Sequence, residues 1–265
     1  MALVVAGFVP HPPIIVAGIG QPNDLTLVTK TRQAMSRLAV LYREAKPDIT
    51  IIVSPHSQLR PDFFLINTAN NFYGSFAPFG HDEIHQEYAG SPKEGAELYT
   101  LVVAKNIPVN LYKEPELDHG ILVPLSFLES GSKPAQLMPL SYSFCSIEQH
   151  LELGRCLGEY CRTSQQRIAL IASGDLSHRL FKGAPAGFSP RGKEFDQEII
   201  ELIGQRKYEA IASLDPDFVE DAGECGYRSL CILMGALESE LAQPNILSYE
   251  GPFGVGYAVI HFPIS

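Results

Sequence analysis

Apolar residues along this chain fall into short unbroken runs, separated by longer stretches where they recur every three or four positions. Ala2–Phe8, Ile49–Val53, Gln136–Leu140 and Arg167–Ala172 are runs of the first kind, and their length and composition predict buried strands. Asp62–Asn67 and Ile107–Leu111 read as further strands. Leu25, Leu27, Val28, Met35, Leu38, Ala39 and Tyr42 recur at helical spacing, which predicts a helix over Asp24–Ala45 that Pro47 ends. Ser91 as a cap and Pro92 in the first turn open another helix through Ala104. Helices are also predicted at His119–Leu128, Ile147–Tyr160, Gly192–Ile203, around Asp217–Ala222 and at Tyr227–Leu241. Asn70–Gly90, rich in Gly and aromatics, reads as a long loop. Asn245–Tyr249 and Gly256–Phe262 read as a β-hairpin turned by Gly251-Pro252-Phe253-Gly254. Alternating strands and helices predict an α/β sandwich with a central, mostly parallel or mixed sheet.

Composition narrows the picture. With 265 residues, 45% of them hydrophobic, and no linker or repeat, the chain is expected to form a single domain over 1–265. Lys plus Arg number 20 against 30 Asp plus Glu, a net charge of −10 that would repel a phosphate backbone, so no nucleic-acid partner is expected. Met1–Ile19 is apolar but lacks a basic start and is broken by Pro10, Pro12 and Pro13, which fits neither a signal peptide nor a membrane span. Cys145, Cys156, Cys161, Cys225 and Cys231 are odd in number and form no CxxC pair, which suits a reducing, cytoplasmic setting.

Candidate chemistry lies at the strand ends. His11 in Pro10-His11-Pro12-Pro13, His56 in Ser54-Pro55-His56, His119 in Asp118-His119-Gly120 and His178 in Gly174-Asp175-Leu176-Ser177-His178 each follow a strand or a turn. In an open α/β sheet such ends face the ligand crevice, so four imidazoles from separate segments can converge on one pocket. Asp118 and Asp175 are placed to orient their neighbouring histidines. His81 and His85 have the i, i+4 spacing of a helical zinc pair, but the HExxH pattern is absent. Gly18-Ile19-Gly20 has Asn23 where a dinucleotide fingerprint needs its third Gly, and Gly254-Val255-Gly256 precedes a strand, not a helix. Glu224 and Cys225 open an apolar helix side by side. Glu224 would complete a two-histidine, one-carboxylate set of the kind that holds non-haem Fe(II).

These motifs, in this order, resemble the class III extradiol ring-cleaving dioxygenases of the LigB type over nearly the whole chain. Val123-Pro124-Leu125 and Asn71-Phe72-Tyr73-Gly74 add to the likeness. Cys225-Gly226 and the tail Ser248–Tyr257 resemble the Memo-like branch, the B-like component of the AmmeMemoRadiSam system. The resemblance implies His11 and His56 as metal ligands, His178 as the acid–base histidine and His119 as a second pocket histidine. It implies Glu224 as third ligand if the ring-cleaving members are the guide, or Cys225 if the Memo-like ones are. The cofactor implied is Fe(II), with Zn or Cu as alternatives that a thiolate would favour. A small aromatic diol and O₂ are the implied substrates. An AMMECR1-type protein and a radical-SAM protein are the partners implied by the Memo-like branch, and a homo-oligomer is expected.

Overall fold

The computed structural model describes residues 3–129, 134–239 and 242–264. β1 (Leu3–Val9) leads through the proline-rich turn into α1 (Pro22–Leu27) and α2 (Thr29–Ala45), followed by β2 (Ile49–Ser54) and β3 (Phe64–Asn67). The helix expected over Asp24–Ala45 is thus two helices. The break lies at Val28, whose φ of −105° and ψ of 26° leave the helical region, and the Thr29 hydroxyl donates back to the Thr26 carbonyl at 2.7 Å.

The segment expected as a loop is a hairpin, β4 (Asn71–Phe76) with β5 (His81–Ala89), paired antiparallel as a separate two-stranded sheet. α3 (Pro92–Ala104) starts as predicted, but the Ser91 hydroxyl donates to the Leu137 carbonyl and does not cap it. β6 (Val109–Tyr112), α4 (His119–Leu128), β7 (Gln136–Ser141), α5 (Ile147–Thr163) and β8 (Ile168–Ser173) follow. The last third adds α6 (Pro190–Gly204), the unforeseen α7 (Tyr208–Ala212), α8 (Pro216–Ala222), α9 (Tyr227–Ala236), β9 (Asn245–Glu250) and β10 (Tyr257–Phe262). α9 ends at Ala236, earlier than expected, while the expected start of β1 at Ala2 and end of the helix at Leu241 lie outside the described residues.

The eight-stranded sheet runs β6-β3-β7-β2-β8-β1-β10-β9. Its centre, β7-β2-β8-β1, is parallel, and the antiparallel pairings of β3 with β7 and of β10 with β1 and β9 make it mixed. The runs that looked continuous in sequence divide between two faces by strand alternation. Ile49, Ile51 and Val53 of β2 and Ile168, Leu170 and Ala172 of β8 enter one apolar layer with α5 and α9. Val5 and Val9 of β1, Ile52, Ala169 and Ile171 enter the other with α2 and α4. Burial on both sides is why no polar alternation marks these strands. α5 and α9 pack closely because a Cβ on Gly154 would stand 2.1 Å from the Ile232 carbonyl oxygen.

Parallel pairing puts the carboxyl ends of β2, β8 and β1 side by side on one edge. The residues that follow them, His56, Asp175 and His11, come from three adjacent strands.

Candidate metal centre

His11 is buried, and its backbone N–H donates to Asp175 Oδ1 at 3.1 Å. Its ring is oriented by Ser173, the last residue of β8. The Ser173 hydroxyl lies 2.5 Å from the Gly120 carbonyl and 3.0 Å from His11 Nδ1. A hydroxyl has one hydrogen, and the carbonyl can only accept, so Ser173 donates to Gly120 and accepts from His11 Nδ1–H. This fixes the tautomer and leaves a lone pair on His11 Nε2, which lies 2.9 Å from His56 Nε2.

His56 follows β2, its backbone N–H donating to Ser54 Oγ at 3.2 Å. His119, the first residue of α4, stacks on the His56 ring with centroids 4.2 Å apart and meets the edge of Phe79. Asp118 accepts from the Ser54 and Ser57 hydroxyls at 2.6 Å each, so it braces the loop carrying His56.

Cys225 reaches the histidines because the backbone before α9 lies directly on the loop after β8. A Cβ on Gly174 would stand 2.1 Å from Gly226 Cα, so only glycine allows the approach. The N–H groups of Cys225 and Gly226 donate to the Asp175 carbonyl at 3.3 and 2.9 Å. Cys225 Sγ then lies 3.6 Å from His11 Nε2 and 3.7 Å from His178 Nε2. Glu224 turns the other way, its carboxylate accepting from the Tyr227 N–H at the start of α9.

Among the described residues, two groups of three ligand atoms lie within 4.8 Å of one another: His11, His56 and Cys225, and Asp175, His178 and Cys225. The structure therefore brings together His11, His56, His119, His178 and Cys225, while Glu224 joins neither group. His81 and His85 also join neither. They sit on strand β5, where four residues span roughly 13 Å, and not on the helix their spacing required.

The electrostatics suit a cation. Burial holds His11 down to about 4 and lowers His56 and His119, so all three imidazoles are neutral at neutral pH. Burial, reinforced by the Asp175 charge, pushes the Cys225 thiol well above its ordinary value, so a nearby positive charge is needed to ionise it. Burial works against the Asp175 charge, but His11 and His178 hold its carboxyl below the usual range. Burial pushes Glu224 up to about 7. Ligand atoms on one ion at bond lengths of ~2.0–2.3 Å lie about 3–4 Å apart. The 2.9 and 3.6 Å separations among His11, His56 and Cys225 fit that spacing, with the His11 lone pair already aimed.

Beside this centre is a pocket of about 350 Å³, lined by His56, His119, Phe79, Tyr112, Asn67 and Glu114 among others. Phe79 belongs to the turn of the β4–β5 hairpin, so the segment expected as a loop forms one pocket wall. Ser173 heads the motif that ends in His178, but the sequence assigns it no role. A serine closing an otherwise apolar strand was the one available signal.

The family described as the catalytic LigB subunit of aromatic ring-opening dioxygenase matches residues 5–260. Protein CA_C1420 of Clostridium acetobutylicum is 32% identical over 95% of this chain, which spans only 55% of that protein's length. The 2-aminophenol 1,6-dioxygenase beta subunit of a Pseudomonas species is 24% identical over 98% of this chain and 93% of its own. The crystal structure of the uncharacterized protein JW3007 from Escherichia coli K12 superposes with a TM-score of 0.70 at 19% identity, covering 98% of this chain and 99% of that one, and so shares the fold. No helix among the described residues is long and apolar enough to cross a membrane. The chain belongs to the family of catalytic LigB subunits of aromatic ring-opening dioxygenases.

Proposed function

We propose that this chain is a metal-dependent oxidoreductase of the dioxygenase type, acting with O₂ on a small aromatic compound that carries two adjacent donor groups. His11, His56 and Cys225 hold the metal. The observation that carries this reading is the meeting of His11 Nε2, His56 Nε2 and Cys225 Sγ beside a pocket of about 350 Å³. When bound, the ion would supply Lewis-acid and redox chemistry for a reaction between the aromatic compound and O₂. The similarity to the 2-aminophenol 1,6-dioxygenase beta subunit supports a ring with neighbouring hydroxyl or amino groups.

The side chains divide the remaining work. His178 takes a proton from the substrate hydroxyl and later returns it. Its Nε2 lies 3.7 Å from both Asp175 Oδ2 and Cys225 Sγ, and its side chain is 25% exposed. His119 and Phe79 offer ring faces and edges against which a planar substrate can stack.

Cys225 favours a second reading. A thiolate in place of a carboxylate suits Zn or Cu(I) better than Fe(II), which would make the chain a metal-binding or redox protein of the Memo-like kind without ring opening. Metal analysis of anaerobically purified protein, followed by O₂ uptake with catechol and 2-aminophenol, separates the two. About one tightly held metal per chain with substrate-dependent O₂ uptake is expected. Metal without uptake favours the second reading, and absence of metal defeats both.

A further inference from the structure

In the second group of ligand atoms, Asp175, His178 and Cys225, the Asp175 and His178 atoms are not used by a single ion on His11, His56 and Cys225. We infer that these three residues form a second metal position that shares the Cys225 sulfur with the first, so that the site accepts two Zn(II)-like ions joined by one thiolate. The inference rests on the proposed first site.

The geometry of Asp175 carries it. This residue is only 5% exposed, and its Oδ1 is occupied by the His11 backbone N–H. Its Oδ2 lies 3.7 Å from His178 Nε2 and 3.9 Å from His11 Nε2, separations too long for direct hydrogen bonds. The 3.7 Å separation from His178 Nε2 is the one expected of two atoms that share an ion, and Asp175 and His178 group with Cys225 and not with His56. Cys225 Sγ stands 3.6 Å from His11 Nε2 on one side and 3.7 Å from His178 Nε2 on the other, midway between the two groups. One nitrogen, one carboxylate oxygen and one sulfur form a donor set that zinc accepts. Two divalent ions against one thiolate and one carboxylate leave a net charge of +2, to be completed by solvent or by an anionic ligand.

A second ion has a functional consequence. It would occupy the His178 nitrogen that the proposed reaction needs for its proton, so metal in excess of one equivalent inhibits turnover. The second ion meets the positive charge of the first across a shared sulfur, so it binds more weakly.

The test is an anaerobic titration of the metal-free full chain with Zn(II), read by equilibrium dialysis and elemental analysis. Wild type is expected to take up two equivalents and His178→Ala one. Asp175→Asn keeps an amide oxygen for the His11 N–H and is expected to weaken only the second equivalent, by at least tenfold. Loading with Co(II) gives a readout independent of any variant, because two ions sharing a thiolate couple magnetically and the electron paramagnetic signal per cobalt falls on the second addition. A single equivalent in wild type, two tight equivalents in His178→Ala, or two uncoupled cobalt ions would overturn the inference while leaving the first site standing. No zinc in wild type overturns both.

Discussion

Ser173→Ala is the substitution that most directly probes how the fold prepares His11. The Ser173 hydroxyl stands between the Gly120 carbonyl at 2.5 Å and His11 Nδ1 at 3.0 Å, so its loss strands an acceptor and a donor in a dry interior. Leaving buried groups unpaired costs about 1–3 kcal/mol of stability. The larger effect concerns the metal. Without its partner the imidazole is free to place its hydrogen on Nε2, the atom that faces His56, and to rotate. Removal of such an orienting contact typically weakens metal binding by about 10–100-fold, or roughly 1.4–2.8 kcal/mol. Anaerobic competition of Zn(II) between the protein and a chromophoric chelator measures the affinity, and urea unfolding measures the stability. Ser141 serves as the control. It ends strand β7, on the far side of β2 from β8, and its buried hydroxyl has no hydrogen-bond partner among the described residues, so Ser141→Ala is expected to change neither quantity appreciably. Equal affinities for Ser173→Ala and wild type would refute the argument that this hydroxyl sets the His11 tautomer.

His178→Ala is expected to keep the first metal ion while turnover falls by about 10²–10⁴, as for loss of a general acid–base group; loss of the first ion would place His178 among its ligands instead. Metal affinity is expected to rise about tenfold per pH unit between pH 6 and 8, because the Cys225 thiol, held high by burial, must release its proton to bind, whereas His11 at about 4 is already neutral. A flat profile over that range would mean that the thiol does not bind as thiolate. Burial pushes Asp196 up to about 7, far above its value in an unfolded chain, so unfolding between those values releases a proton and stability falls as pH rises from about 4 to 7. Asp196→Asn mimics the neutral acid and is expected to reduce that decline to the part contributed by Glu224, also pushed up to about 7, measured by urea unfolding at pH 5 and pH 8; an unchanged decline would show that Asp196 is ionised throughout.

The sheet was legible because its central strands are short, apolar and β-branched, and because the helices between them carry clear periodicity. The hairpin β4–β5 was not. Its inward positions are Phe72, Gly74 and Phe76, and its partner strand His81–Ala89 is mostly polar and exposed, so neither alternation nor hydrophobicity marked it. The four strand-end histidines could be singled out because a sheet edge gathers whatever follows its strands. Which aspartate serves which histidine could not be read from adjacency. Asp118 accepts from Ser54 and Ser57, and Asp175 holds the His11 backbone, contacts that are long-range in sequence. The choice between Glu224 and Cys225 turned on the direction of successive side chains. The two residues precede α9 and lie on a segment pinned by Asp175, which turns the sulfur toward the histidines and the carboxylate onto the Tyr227 N–H.

That choice is also where the proposed function is most exposed. Anaerobic metal titration of Cys225→Ser and Glu224→Gln side by side tests it, with folding of each checked by circular dichroism. Glu224→Gln retains an oxygen for the Tyr227 N–H and is expected to bind the first metal ion with affinity close to that of wild type. Cys225→Ser removes the sulfur 3.6 Å from His11 Nε2 and is expected to lose at least a hundredfold in affinity. The reverse pattern, metal lost with Glu224 and retained without the thiol, would contradict the proposed centre.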